Sequence, residues 1–273
     1  MTVALTQGRH IDAADVIALL REVYADGIGT RDEADELIAF DHTLGDSPAG
    51  WSEFFAATVA DHLVRRCEPA GVIDDEKAAW LIGALSHGRR VATSGGFGAV
   101  MRSLETARET SPLLAVYAIG QVRFAVTAGT GPAIGTRTHF SRVVDAADVM
   151  LLGRILELSG GAHAPPVSRL EAEALFDLHD AVAGASNDPT FADLFFRAIA
   201  SHLLACAGTP CETRMMQPEF AGAVPLGAEE SAWLASRIMR DGRPTPAEFL
   251  LLRRFASAGD IDPSLRRFLD CAA

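Results

Sequence analysis

The sequence predicts an all-α protein built as an internally duplicated helical bundle, two tandem pseudo-repeats, and three observations carry that prediction. Apolar residues recur at helical spacing along most of the chain, while no alternating run of β-branched residues is long enough to argue for a sheet. The run Asp-Ala-Ala-Asp-Val occurs twice, from Asp12 to Val16 and from Asp145 to Val149. From that shared run the halves match onward. Glu33 in "TRDEADELIAF" pairs with Glu171 in "SRLEAEALFDL", His62 in "FFAATVADHLV" with His202 in "FFRAIASHLLA", and Trp80 in "EKAAWLI" with Trp233 in "ESAWLAS". The separation between partners widens only where the second copy carries Gly, Pro and polar residues, as in "GGAHAPPVS", and surface loops tolerate such lengthening.

Each element has its own local reason. In "DAADVIALLREVYA", Val16, Leu19, Leu20 and Val23 share a helix face with Asp12 as N-cap, and Gly27 ends the helix. Thr30 with Glu33, and Ser168 with Glu171, match the S/T-x-x-E capping box and open the second helix of each copy. The third helices carry the stripes Trp51, Phe54, Phe55, Val59, Leu63 and Phe191, Leu194, Phe195, Ile199, Leu203, with Pro189 in a first turn. Fourth helices start near Asp74 and Ala228 and contain the matched tryptophans. A fifth follows in each copy, capped in the second by Thr245 and Glu248. Pro112 opens a connecting helix, and "TAGTGPAIGTRTHFS" reads as a linker. The organisation is therefore repeat one over 10–110, connecting helix and Gly-rich linker over 111–142, repeat two over 143–258, and a C-terminal helix or tail over 259–273.

Composition narrows the function. The chain has 273 residues, 49% of them hydrophobic and 22% charged, the balance of a compact globular protein. A net charge of -12 with scattered Lys and Arg argues against nucleic acid and anionic membranes as partners. The most apolar stretch, "PLLAVYAIGQVRFAVTAG", is interrupted by Gln121 and Arg123, so no membrane span is expected. The start shows no secretory pattern, and Cys67, Cys206, Cys211 and Cys271 form no Cys-x-x-Cys pair, which fits reduced cysteines in a cytoplasmic protein.

The candidate sites are few. Two turns, "DGIGTRDE" and "DGRPTPAE", keep the Gly-to-Glu spacing of an EF-hand loop, making Asp26, Glu33, Asp241 and Glu248 candidate metal ligands. Glu22 and Tyr24 in one turn, and Arg237 and Met239 in the other, stand where further oxygen ligands are needed, so capping explains both turns. His62 and His202 occupy matching helical positions and read as hydrogen-bonded residues at a helix contact. Asp41-His42 and His179-Asp180 lie near the ends of the second helices, and no set of three or four converging zinc ligands assembles from these histidines. "GTGPAIGT" lacks a P-loop ending and "SGGFG" reads as a loosened helix start, so no cofactor is expected. No Gly-x-Ser-x-Gly or other catalytic set is present.

The Asp-Gly turn followed by a capped acidic helix, among short helices with aromatic anchors, resembles the TerB-like domains associated with tellurite resistance. The matching stretches are Asp26 to Glu33 and Asp241 to Glu248. The resemblance implies a helical domain acting in stress-related complexes, with a link to metal or calcium. The expected function is thus non-enzymatic, through a protein partner or self-association. Two alternatives stand beside it: a calcium-responsive binding protein using Asp26, Glu33 and Glu22, and an enzyme with its site between the copies, near Arg137, His139 and Arg142.

Overall fold

The computed structural model describes residues 27–44, 50–133, 135–136, 142–161, 166–208, 226–242, 244–258 and 261–270, and places Ala18 in a helix. It is all-α. The first helix expected, with its Asp12 cap, otherwise lies outside the described residues, as do Asp26, Arg137, His139, Cys211 and Cys271.

The chain forms two compact units, Met1–Ala107 and Arg108–Ala273. In the first, α1 spans Arg31–Thr43, α2 Trp51–Asp61, α3 Asp75–Leu85 and α4 Ser94–Thr106. In the second, α5 spans Pro112–Ala128, α6 Ala146–Leu158, α7 Arg169–Ala181, α8 Pro189–Cys206, α9 Ala228–Ile238, α10 Pro246–Ala258 and α11 Pro263–Asp270. The connecting helix α5 belongs to the second unit, where it packs against α6 and α7.

Helix starts follow their side chains. Thr30 and Ser168 close full capping boxes with Glu33 and Glu171, and Asp145 does so with Asp148. Each box satisfies amide donors that the first helical turn leaves unpaired. Ser111 caps α5 with Pro112 in its first turn, and Gly129, at φ 76°, ends it in the left-handed conformation that glycine adopts without a Cβ clash.

The core of the first unit is the α2–α4 contact. Trp51, Phe55, Val59 and Leu63 are buried, while Phe54 is only partly so. Ser94-Gly-Gly-Phe-Gly forms the first turns of α4, with Thr93 as N-cap. A Cβ on Gly95 would lie 3.1 Å from Phe55, and one on Gly98 would lie 3.2 Å from the Ala56 Cβ, so the glycines set how closely the two helices approach. In the second unit, Phe191, Leu194, Phe195, Ile199 and Leu203 are all buried, and α8 packs against α6, α7 and α10. The linker after α5 turns back as a short antiparallel pairing of Thr130–Gly131 with Gly135–Thr136.

Candidate metal centre

Both matched histidines anchor an aromatic stack. In the first unit His62 Nδ1 lies 3.1 Å from the Ile28 carbonyl and the ring meets Trp80 edge-on at 6.0 Å. The Trp80 indole donates to Asp35 Oδ1 at 3.1 Å, under the Arg31 guanidinium at 5.1 Å. In the second unit His202 Nδ1 lies 3.0 Å from the Val167 carbonyl, with Trp233 at 5.1 Å. The Trp233 indole donates to Glu173 Oε1 at 3.2 Å beneath Arg169 at 5.5 Å. Burial pulls the His202 imidazole below the usual histidine range. These rings hold helices together through hydrogen bonds and π contacts.

The Asp-Gly turns have separate fates. Glu33 is exposed, and its Oε2 accepts the amides of Gly29 at 2.9 Å and Thr30 at 3.0 Å, which hold its carboxyl below the ordinary glutamate range. Asp241 ends a short 3₁₀ turn, Met239–Asp241, before Gly242 at φ 75°. Glu248 is 3% exposed, and its Oε2 accepts both the amide of Thr245, at 2.7 Å, and its hydroxyl, at 2.9 Å. Burial raises the Glu248 carboxyl, against the lowering effect of those Thr245 bonds.

Tertiary packing then adds what the sequence left apart. The last turn of α7 abuts the first turn of α10, so His179, Asp180 and Glu248 each place a donor atom within 4.8 Å of the other two. His179 is 7% exposed, its ring stacked on Phe195 at 4.4 Å and on Phe191 at 6.3 Å. Its Nε2 lies 3.4 Å from Thr245 Oγ1. Because that hydroxyl gives its hydrogen to Glu248, Nε2 is the nitrogen that donates, and in the neutral ring Nδ1 carries the lone pair. Nδ1 is buried without a hydrogen-bond partner and faces Asp180 Oδ1 at 3.8 Å. A nitrogen lone pair opposite a carboxylate is favourable when a cation lies between them. The other Asp180 oxygen lies 3.5 Å from Arg240.

In the first unit, Asp41 accepts the Trp51 indole N–H at 2.8 Å and the Thr93 hydroxyl, while the His42 ring lies 4.8 Å from that of His87. Burial, followed by the nearby His87, lowers the His42 imidazole. The position that starts α4 opposite Asp41 holds Gly96 as third residue, where α10 has Glu248. Among the described residues, the His179 group is where three metal-ligating side chains converge. The sequence carried one sign of it, the His-Asp pair at a helix end, but nothing local tied that pair to Glu248.

Among the described residues no helix is long and apolar enough to cross a membrane. Compared with protein-family models, with curated proteins and with solved structures, the chain matches none of them.

Proposed function

We propose that this chain is a cytoplasmic, non-enzymatic helical protein, two copies of one bundle in tandem, that binds a divalent transition-metal ion in its second bundle and acts through a protein partner or a second copy of itself. The observation that carries the metal reading is the buried His179 Nδ1, which has no hydrogen-bond partner and faces Asp180, in a side-chain group that Glu248 completes. One imidazole and two carboxylates suit zinc, manganese or iron better than calcium, which prefers six to eight oxygens. Ligand atoms on a tetrahedral zinc ion with bonds of about 2.1 Å lie about 3.4 Å apart, so loading closes up donor atoms that already lie within 4.8 Å of one another. The ion would tie the end of α7 to the start of α10.

The duplication is supported by paired detail: a capping box, a histidine on a backbone carbonyl, and a tryptophan between a carboxylate and an arginine occur in each unit. Two similar faces suit a pseudo-symmetric partner, in keeping with the TerB-like resemblance. Thermal unfolding with zinc, manganese and calcium tests the metal reading. A site saturated a hundredfold adds about 2.7 kcal/mol, which raises the melting temperature by roughly 5 to 10 °C. That rise with a transition metal, and its loss in H179Q, is the expected result; no rise with any of the ions overturns the reading. Light scattering of the purified chain, alone and with copurifying protein, tests the partner reading, and a lone monomer counts against it.

A further inference from the structure

Helix α2 ends in a π-helical turn, His62–Arg66, in which the Cys67 amide donates to the His62 carbonyl at 3.0 Å. Such widened turns gather at functional sites. Here the turn sets the Cys67 Sγ 3.4 Å from His62 Nε2. His62 Nδ1 faces the Ile28 carbonyl, which can only accept, so Nδ1 carries the ring hydrogen and Nε2 presents its lone pair to the thiol. Nucleophile, base and base-orienting group are therefore in line, the arrangement that activates a cysteine or serine.

The surroundings hold this pair still and leave it reachable. The Lys77 ammonium donates to the carbonyls of Cys67, Pro69 and Val72 at 2.8, 2.8 and 2.7 Å, fixing the loop that follows the thiol. His62 is buried, whereas Cys67 is half-buried and lines an open pocket of about 180 Å³ with Arg31, Glu68, Lys77 and Trp80. Cys206 has a comparable neighbour without the alignment. Its Sγ lies 3.9 Å from both ring nitrogens of His202, and burial pushes its thiol above the usual range.

We propose that Cys67 is a reactive thiol, with His62 as its general base, that takes up small disulfides entering this pocket. His62 Nε2 takes the thiol proton as the sulfur attacks one sulfur of the incoming disulfide. The Cys67–sulfur bond forms and the disulfide's own bond breaks. The departing thiolate recovers the proton from the imidazolium and leaves as a free thiol, so the exchange balances without any further oxidant. The site is independent of the metal centre, which lies in the other unit.

The test uses the full chain with Cys206, Cys211 and Cys271 replaced by serine, treated with iodoacetamide or with oxidised glutathione and read by mass spectrometry. General-base assistance contributes about a hundredfold or more. The expected result is Cys67 alkylation at least about tenfold faster in the native chain than in the same chain unfolded in urea, together with a glutathione adduct on Cys67. H62Q, checked for folding by circular dichroism, drops the rate to the unfolded level or below. A native rate equal to or slower than the unfolded rate overturns the proposal whether or not H62Q folds.

Discussion

Asp41 accepts the indole N–H of Trp51 at 2.8 Å where both residues are fully buried, joining the end of α1 to the start of α2. A hydrogen bond to a charged acceptor contributes about 1.5 to 3 kcal/mol, and without the indole the buried Asp41 carboxylate keeps the Thr93 hydroxyl but loses one of its donors. W51F keeps an aromatic ring in the site, removes the donor and leaves part of the indole's volume unfilled in a fully buried position. It is expected to lower stability by about 2 kcal/mol, read as a fall in the urea midpoint with the slope unchanged.

The capping boxes make a second prediction. T30A and S168A each remove an N-cap oxygen and are expected to cost about 1 kcal/mol. Glu33 adds a pH dependence. Its carboxyl is held low by the Gly29 and Thr30 amides, so its contribution is complete above the ordinary glutamate pKa of about 4.3 and is lost as pH falls through the folded value. Urea titrations of E33Q across that range should show a shallower loss of stability than the parent.

His202 works at higher pH. Burial favours its neutral form in the folded chain, so protons bind the unfolded state more readily. Its contribution is present above the unfolded histidine pKa of about 6.5 and falls as pH drops from there toward the folded value. H202N, whose amide can still donate to the Val167 carbonyl, should flatten this limb of the stability profile measured between about pH 7 and 5.

Replacing Glu248 separates capping from metal binding. In E248Q the side-chain carbonyl can still accept the Thr245 amide, so the chain without metal is expected to melt within a few degrees of the parent. The rise in melting temperature on adding zinc or manganese is expected to disappear. A retained rise would place the ion elsewhere.

Much of the fold was legible because its causes are local. Thr30 with Glu33, Ser168 with Glu171, and Pro112 and Pro189 in first turns mark helix starts through bonds and backbone angles that span a few residues. The aromatic stripe of α8 is read correctly for the same reason, since period decides which face is buried. The candidate ligands were legible only in part. Glu33 and Glu248 follow similar Asp-Gly turns, yet one carboxylate lies in solvent on two amides and the other is buried beside a histidine.

The sequence by itself determined an all-α chain and where most of its described helices begin, because capping and amphipathic period act within one or two turns. The tertiary structure alone decided which polar side chains from different helices meet: Asp41 with Trp51 and Thr93, and His179 and Asp180 with Glu248. Those meetings depend on how whole helices pack, on the close α2–α4 approach at Gly95 and Gly98 and on the α7–α10 junction, and helix packing angles are not written in any single turn.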